Sequence, residues 1–132
     1  MLSSTEKESI VKSRIGQGQF RQSLINYWSA CAVTGCKEQK LLRASHIKPW
    51  AKSSATERLS LYNGLLLSPS LDLCFDSGFI SFNSLGGIII SNQLNSNDIE
   101  ALSINKDMKL SSISPEHEKY LEYHRENIYK RS

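Results

Sequence analysis

Two neighbouring stretches decide how the chain reads: Leu42-Arg-Ala-Ser-His-Ile-Lys-Pro-Trp50, and Asn63-Gly-Leu-Leu-Leu-Ser-Pro-Ser-Leu-Asp-Leu-Cys-Phe-Asp-Ser-Gly-Phe-Ile-Ser-Phe82. Residues 41–47 read as a strand, with Leu42, Ala44 and His46 alternating to one side. Pro49 stops it. Asn63-Gly64 has the form of a tight turn, and Leu65-Leu66-Leu67 that of a short buried strand. Ser68 and Pro69 signal a helix start and Gly78 a stop, so a helix is predicted over 69–76. The order is strand, connection, strand, helix, a ββα unit.

That unit gathers one kind of chemistry. His46 is a candidate general base. Asp72 and Asp76, four residues apart, share one face of the predicted helix, about 40° apart. Like charges at that spacing cost stability unless a cation offsets them, and oxygen ligands favour a hard ion, Mg²⁺ or Mn²⁺. Asn63 follows His46 by 17 positions and precedes Asp72 by 9. A base, an orienting amide and two carboxylates are the parts for metal-assisted phosphodiester hydrolysis. Arg43, Lys48, Lys52 and Arg58 surround the base and can grip a phosphate backbone; Arg43 and Lys48 flank it most closely.

Upstream, residues 3–14 and about 19–29 read as two helices, interrupted at Gly16 and Gly18. Phe20, Leu24, Tyr27 and Trp28 give the second an apolar face for the core. Arg14 and Arg21, flanking the Gly-Gln-Gly-Gln stretch, read equally as phosphate contacts and as solvated surface. Cys31 and Cys36 flank a glycine turn, but no second pair completes a four-ligand set, so structural zinc is not expected. Between the two stretches, 51–56 reads as loop and 57–62 as a helical turn. Downstream, 79–82 and 87–91 read as a hairpin, 98–102 as a short helix and 108–113 as weakly strand-like. A last helix runs from Pro115 to about Lys130. His117 and His124 fall in it and read as satisfied or exposed.

The bulk numbers agree with one α+β domain. The chain has 132 residues, 39% hydrophobic and 22% charged, with a net charge of +3, enough for one core and compatible with nucleic acid. No apolar run approaches a membrane span, and residues 1–12 lack a signal-peptide core, so a cytoplasmic location is the expectation. Three cysteines, an odd number, argue against a disulfide framework.

His46, Asn63 and Asp72 stand where the His-Asn-His residues stand in HNH endonucleases, the ββα-metal nucleases. Further runs are similar to the bacterial restriction-type branch of that family: Ile15-Gly-Gln-Gly-Gln-Phe-Arg, Cys31-Ala-Val-Thr-Gly, Ala44-Ser-His-Ile-Lys-Pro-Trp, Asn63-Gly-Leu-Leu-Leu-Ser, Phe75-Asp-Ser-Gly-Phe-Ile-Ser-Phe and Tyr120-Leu-Glu-Tyr-His-Arg-Glu. The resemblance implies a single HNH nuclease domain over 1–132, with its core at about 31–82. N-terminal helices would precede the ββα-metal core, and a hairpin and C-terminal helix would follow.

It further implies that His46 activates water and that Asn63 orients it across the loop. Asp72 and Asp76 would hold one divalent ion, and Arg43, Lys48 and Arg58 would contact DNA, double-stranded for preference. Cleavage would leave 5′-phosphate and 3′-hydroxyl ends, in a restriction or defence setting. A homodimer, or fusion to a target-recognition domain, would supply a second cut or a target. Ser45 departs from the pattern, since many members place an acidic ligand just before the histidine. That keeps open a nucleic-acid-binding module without catalysis. A protein-interaction domain whose acids are merely solvated is a third reading.

Overall fold

In the computed structural model, which describes residues 2–131, one 25-residue helix, α1 (Ser4–Trp28), replaces the two expected helices. Ser3 starts it with a reciprocal cap: its side chain accepts from Glu6 N at 3.1 Å and Glu6 returns to Ser3 N at 3.2 Å. Each internal glycine costs the helix about 1 kcal/mol, which weakens it without breaking it. Burial of Phe20, Leu24 and Trp28 on one stripe offsets that cost, at roughly 1.5–3 kcal/mol per large apolar side chain. Ser29 ends the helix in the left-handed region, φ 64°.

The helix lies against an antiparallel pair, β1 (Arg43–His46) and β2 (Gly64–Leu67), in the register Arg43 to Leu67 and His46 to Gly64. Gly64 is therefore the first residue of a strand, with φ −150°, and not half of a tight turn. It is glycine for lack of space: a Cβ there would sit 2.5 Å from Phe20 Cζ and 2.7 Å from Leu24 Cδ2. The 47–63 connection holds a short helix, α2 (Ala55–Leu59), flanked by single 3₁₀ turns at Trp50–Lys52 and Leu61–Asn63.

After β2 comes α3 (Pro69–Asp76), with the bounds expected from its proline start. Gly78 follows at φ 81°, a conformation cheap only for glycine. A second hairpin, β3 (Ile80–Phe82) and β4 (Ile88–Ile90), turns through Asn83, whose side chain accepts from Leu85 N and Gly87 N, both at 2.9 Å. Then come α4 (Ser96–Ala101) and α5 (Glu118–Asn127), the latter packed on β3. Residues 108–113 give only one bridge, Gly87 with Lys109, where a weak strand was expected. Leu65, Leu66, Leu67, Phe75, Phe82 and Leu121 are fully enclosed between these layers. The architecture is α+β, with a ββα unit between a long N-terminal helix and a hairpin-plus-helix. Among the described residues no helix is long and apolar enough to cross a membrane.

Candidate active site

The site is built by the connection that joins β1 to β2. Asn63, at its end, is 0% exposed and fastens its start. Its Oδ1 accepts from Lys48 N at 2.8 Å, and its Nδ2 donates to Glu57 O at 3.1 Å and Ser53 Oγ at 3.3 Å. Ser54 and Glu57 cap α2 reciprocally, and the Glu57 carboxylate also takes Lys48 Nζ at 3.1 Å. The loop is thereby held at both ends. One residue beyond Glu57, the carbonyl of Arg58 is set 2.9 Å from His46 Nε2.

That contact fixes the imidazole. A carbonyl only accepts, so Nε2 carries the proton and the neutral ring keeps its lone pair on Nδ1. Burial, helped by the Arg58 charge, holds the His46 pKa below its ordinary value despite that hydrogen bond. The neutral form therefore dominates at pH 7, as a general base requires. The ring is clamped as well. Phe20 stacks on it at 3.7 Å between centroids and 9° between planes, and Trp50 meets it edge-on at 5.6 Å. The Asn63 side chain makes no hydrogen bond to His46; it fastens the loop whose Arg58 carbonyl does.

His46 opens into a cleft of about 400 Å³ that also holds Asp72 from α3, Arg43 from β1, and Gln17 and Arg21 from α1. Of the residues singled out from sequence, the cleft brings together His46, Asp72, Arg43 and Arg21. Asp76 is exposed one turn further along α3. Its pKa is raised by burial of its carboxylate and by the charge of Asp72. Lys48 is engaged by Glu57, whereas Arg58 lies over the Trp50 indole at 4.4 Å and commits only Nε, to Trp50 O. Arg43 is exposed and makes no side-chain hydrogen bond among the described residues. Arg21 spends its guanidinium on Leu42 O at 2.8 Å and Gln39 O at 2.7 Å. It braces the start of β1 and adds positive charge to the cleft.

The donor set suits one kind of ion. Mg²⁺ is typically held by one or two carboxylates, with water and substrate phosphate completing its octahedron. Of the two carboxylates expected to hold such an ion, Asp72 lines the cleft and Asp76 does not. Among the described residues no group of three or more His, Cys, Asp or Glu side chains is arranged to hold a metal by protein alone. Ser45 alternates away from the cleft, is 4% exposed, and its Oγ has no hydrogen-bond partner. Cys31, Cys36 and Cys74 are free thiols.

Of the α1 residues that wall the cleft, Gln17 and Phe20 were not singled out as functional in the sequence. Phe20 was legible as a core residue, and at 2% exposure it is one. That its ring lies on His46 depends on packing across 26 positions, for which no local signal exists. Trp50 also walls the cleft. The other two histidines are buried. His124 has both ring nitrogens bonded, Nδ1 to Ser81 Oγ and Nε2 to Phe75 O, each at 2.8 Å. His117 Nδ1 accepts from Ser114 N at 2.9 Å, and its ring sits among Tyr27, Trp28 and Tyr62.

No curated protein matches the chain. Residues 31–83, from the cysteine turn to just past β3, match the sequence model of the HNH endonuclease family.

Proposed function

We propose, from the match of residues 31–83 to the HNH endonuclease family, that the chain is a metal-dependent endonuclease hydrolysing DNA phosphodiester bonds. The observation that carries this reading is the state of His46. Its Nε2–H is committed to Arg58 O, and its Nδ1 is left to accept a proton in a cleft shared with Asp72 and Arg43.

The residues divide the work as follows. His46 Nδ1 takes a proton from water as the water oxygen attacks phosphorus and the P–O3′ bond breaks. The departing 3′ oxygen acquires its proton from solvent. Asn63, through the loop it fastens, keeps the Arg58 carbonyl on Nε2 and so maintains the acceptor on Nδ1. Arg43 grips the phosphate, with Arg21 adding field. Lys48 serves mainly to hold Glu57 and the loop. Asp72 and Asp76 would hold one divalent ion, Mg²⁺ or Mn²⁺. Such an ion supplies positive charge to the phosphate and to the developing 3′ oxyanion. One centre cuts one strand, so a double-strand break needs two copies or two visits. A restriction or defence role is the corresponding biological reading.

Ser45 supports the alternative, a nucleic-acid-binding module of the same fold without catalysis. It occupies the position where many family members place an acidic ligand, and it faces the core. Supercoiled-plasmid cleavage in Mg²⁺, Mn²⁺ and EDTA, with His46→Ala purified in parallel, separates the two. Metal-dependent nicking that the substitution abolishes is expected. DNA binding without nicking by either protein would establish the binding module instead.

A further inference from the structure

Trp50 lines two adjoining hollows. One is the cleft of His46. The other, of about 380 Å³, lies between the N-terminal half of α1 and α2, with Ser9, Lys12 and Ser13 on one wall and Arg58 and Leu59 on the other. Its polar lining is cationic and hydroxylic, beside apolar Trp50, Ala55 and Leu59, and no Asp or Glu lines it. Among the described residues Lys12 has no ion-pair partner. Arg58 commits only Nε, to Trp50 O at 3.0 Å, while the indole beneath holds its guanidinium in place. Its two Nη groups remain as fixed donors, the preorganised state in which arginine binds phosphate with least entropy loss.

The position relative to the base is set by α1. Lys12 precedes Phe20, which stacks on His46, by eight residues, or about 12 Å of helix axis. At about 3.4 Å of rise per nucleotide in one strand, this is roughly three to four nucleotides. The wall carrying Lys12 lies outside the segment 31–83 that matches the family.

We propose that the α1–α2 hollow is a flanking-phosphate subsite. Lys12 and Arg58 hold the backbone of a DNA strand about three to four nucleotides from the scissile phosphate, and the Ser9 and Ser13 hydroxyls add neutral donors. The proposal rests on the nuclease reading and gives its substrate a minimum length on one side.

The test is the salt dependence of binding to a labelled DNA duplex, in EDTA so that no cutting intervenes. Wild type is compared with Lys12→Gln and with Lys106→Gln, an equal charge loss at an exposed lysine remote from α1 in sequence. The slope of log K against log salt should be shallower by about one for Lys12→Gln and unchanged for Lys106→Gln. In Mg²⁺, wild-type protein acting on duplexes trimmed to about two nucleotides from the mapped cut should show the raised KM that Lys12→Gln shows on full-length substrate. A cleaving wild type whose slope and KM ignore Lys12→Gln overturns the subsite, as does an equal change in Lys106→Gln. A wild type that neither cuts nor binds DNA overturns the nuclease reading, and the subsite with it.

Discussion

His46 and His124 are supported almost identically and are suited to opposite tasks. Each lies flat on a phenylalanine, Phe20 at 3.7 Å and 9°, Phe75 at 3.8 Å and 2°. Each has Nε2 on a backbone carbonyl, Arg58 O at 2.9 Å and Phe75 O at 2.8 Å. Burial lowers both pKa values. The difference is the other nitrogen. In His124 it is bonded to Ser81 Oγ and the ring is 1% exposed. In His46 that nitrogen makes no hydrogen bond among the described residues, and the residue lines the cleft. A stacked, carbonyl-anchored imidazole is thus a structural unit that this fold uses twice, and only the copy with a free acceptor can do proton chemistry.

The strongest way to break that comparison is to remove each ring in turn. His46→Ala should lower kcat for cleavage by about 10²–10⁴, the range for loss of a general base, with a small change in melting temperature. His124→Ala should do the reverse. It deletes a buried ring and leaves Ser81 and Phe75 O without partners, a cost of about 2–4 kcal/mol. Activity per folded molecule should stay near wild type. Thermal melts alongside single-turnover cleavage distinguish the cases. A His124 variant that folds well and does not cut would show that the two rings are not so divided.

Acid titration gives the next largest effect. His124 has its pKa pushed down from 6.5 to about 4 by burial in the folded protein. As pH falls through 6.5 the unfolded chain takes up this proton first. The stabilisation is therefore complete above 6.5 and is lost progressively toward pH 4. Across those roughly 2.5 pH units the loss is about 3 kcal/mol from this group. His46 and His117, whose pKa values burial also lowers, add in the same direction. Urea unfolding at pH 7 and pH 4.5 measures it. His124→Gln should be less stable at pH 7 yet lose less on acidification. An undiminished pH dependence in that variant would assign the acid lability to other groups.

Which parts of this arrangement could be read from sequence follows from how far apart their causes lie. The bounds of α3 are set by Pro69 and Gly78, both at its ends, and were legible to the residue. The candidates His46, Asp72 and Arg43, which meet in the cleft, come from one strand and the helix that follows its partner. Gly64 was misread because its local signature, Asn-Gly, is that of a turn, whereas its actual constraint is Phe20, 44 positions away. The break expected at Gly16 and Gly18 weighed their local cost and not the buried stripe that repays it. Lys48 and Arg58 ranked as phosphate contacts by nearness in the chain. The Glu57 carboxylate that takes Lys48 and the Trp50 indole that seats Arg58 lie across the loop, where no local signal reveals them.

The smallest effect concerns the clamp itself, and it sharpens the comparison most. The Phe20 ring is confined between His46 and the bare Cα of Gly64. Gly64→Ala places a methyl 2.5 Å from Phe20 Cζ, so the ring must leave the imidazole or α1 must lift. Phe20→Leu removes the stack without that clash, at about 0.5–1.5 kcal/mol beyond the area lost. In both variants water gains access to His46, and its pKa should rise toward the ordinary value. The neutral base is then lost at higher pH, so the acid limb of the rate profile moves up and activity suffers more at pH 6 than at pH 8. Phe75→Leu, the matching change beneath His124, should lower the melting temperature and leave that limb in place. If Phe20→Leu also shifts only the melting temperature, the stack on His46 is packing of the same kind as that on His124. The reactivity of the first histidine would then rest on the Arg58 carbonyl and the open Nδ1 alone.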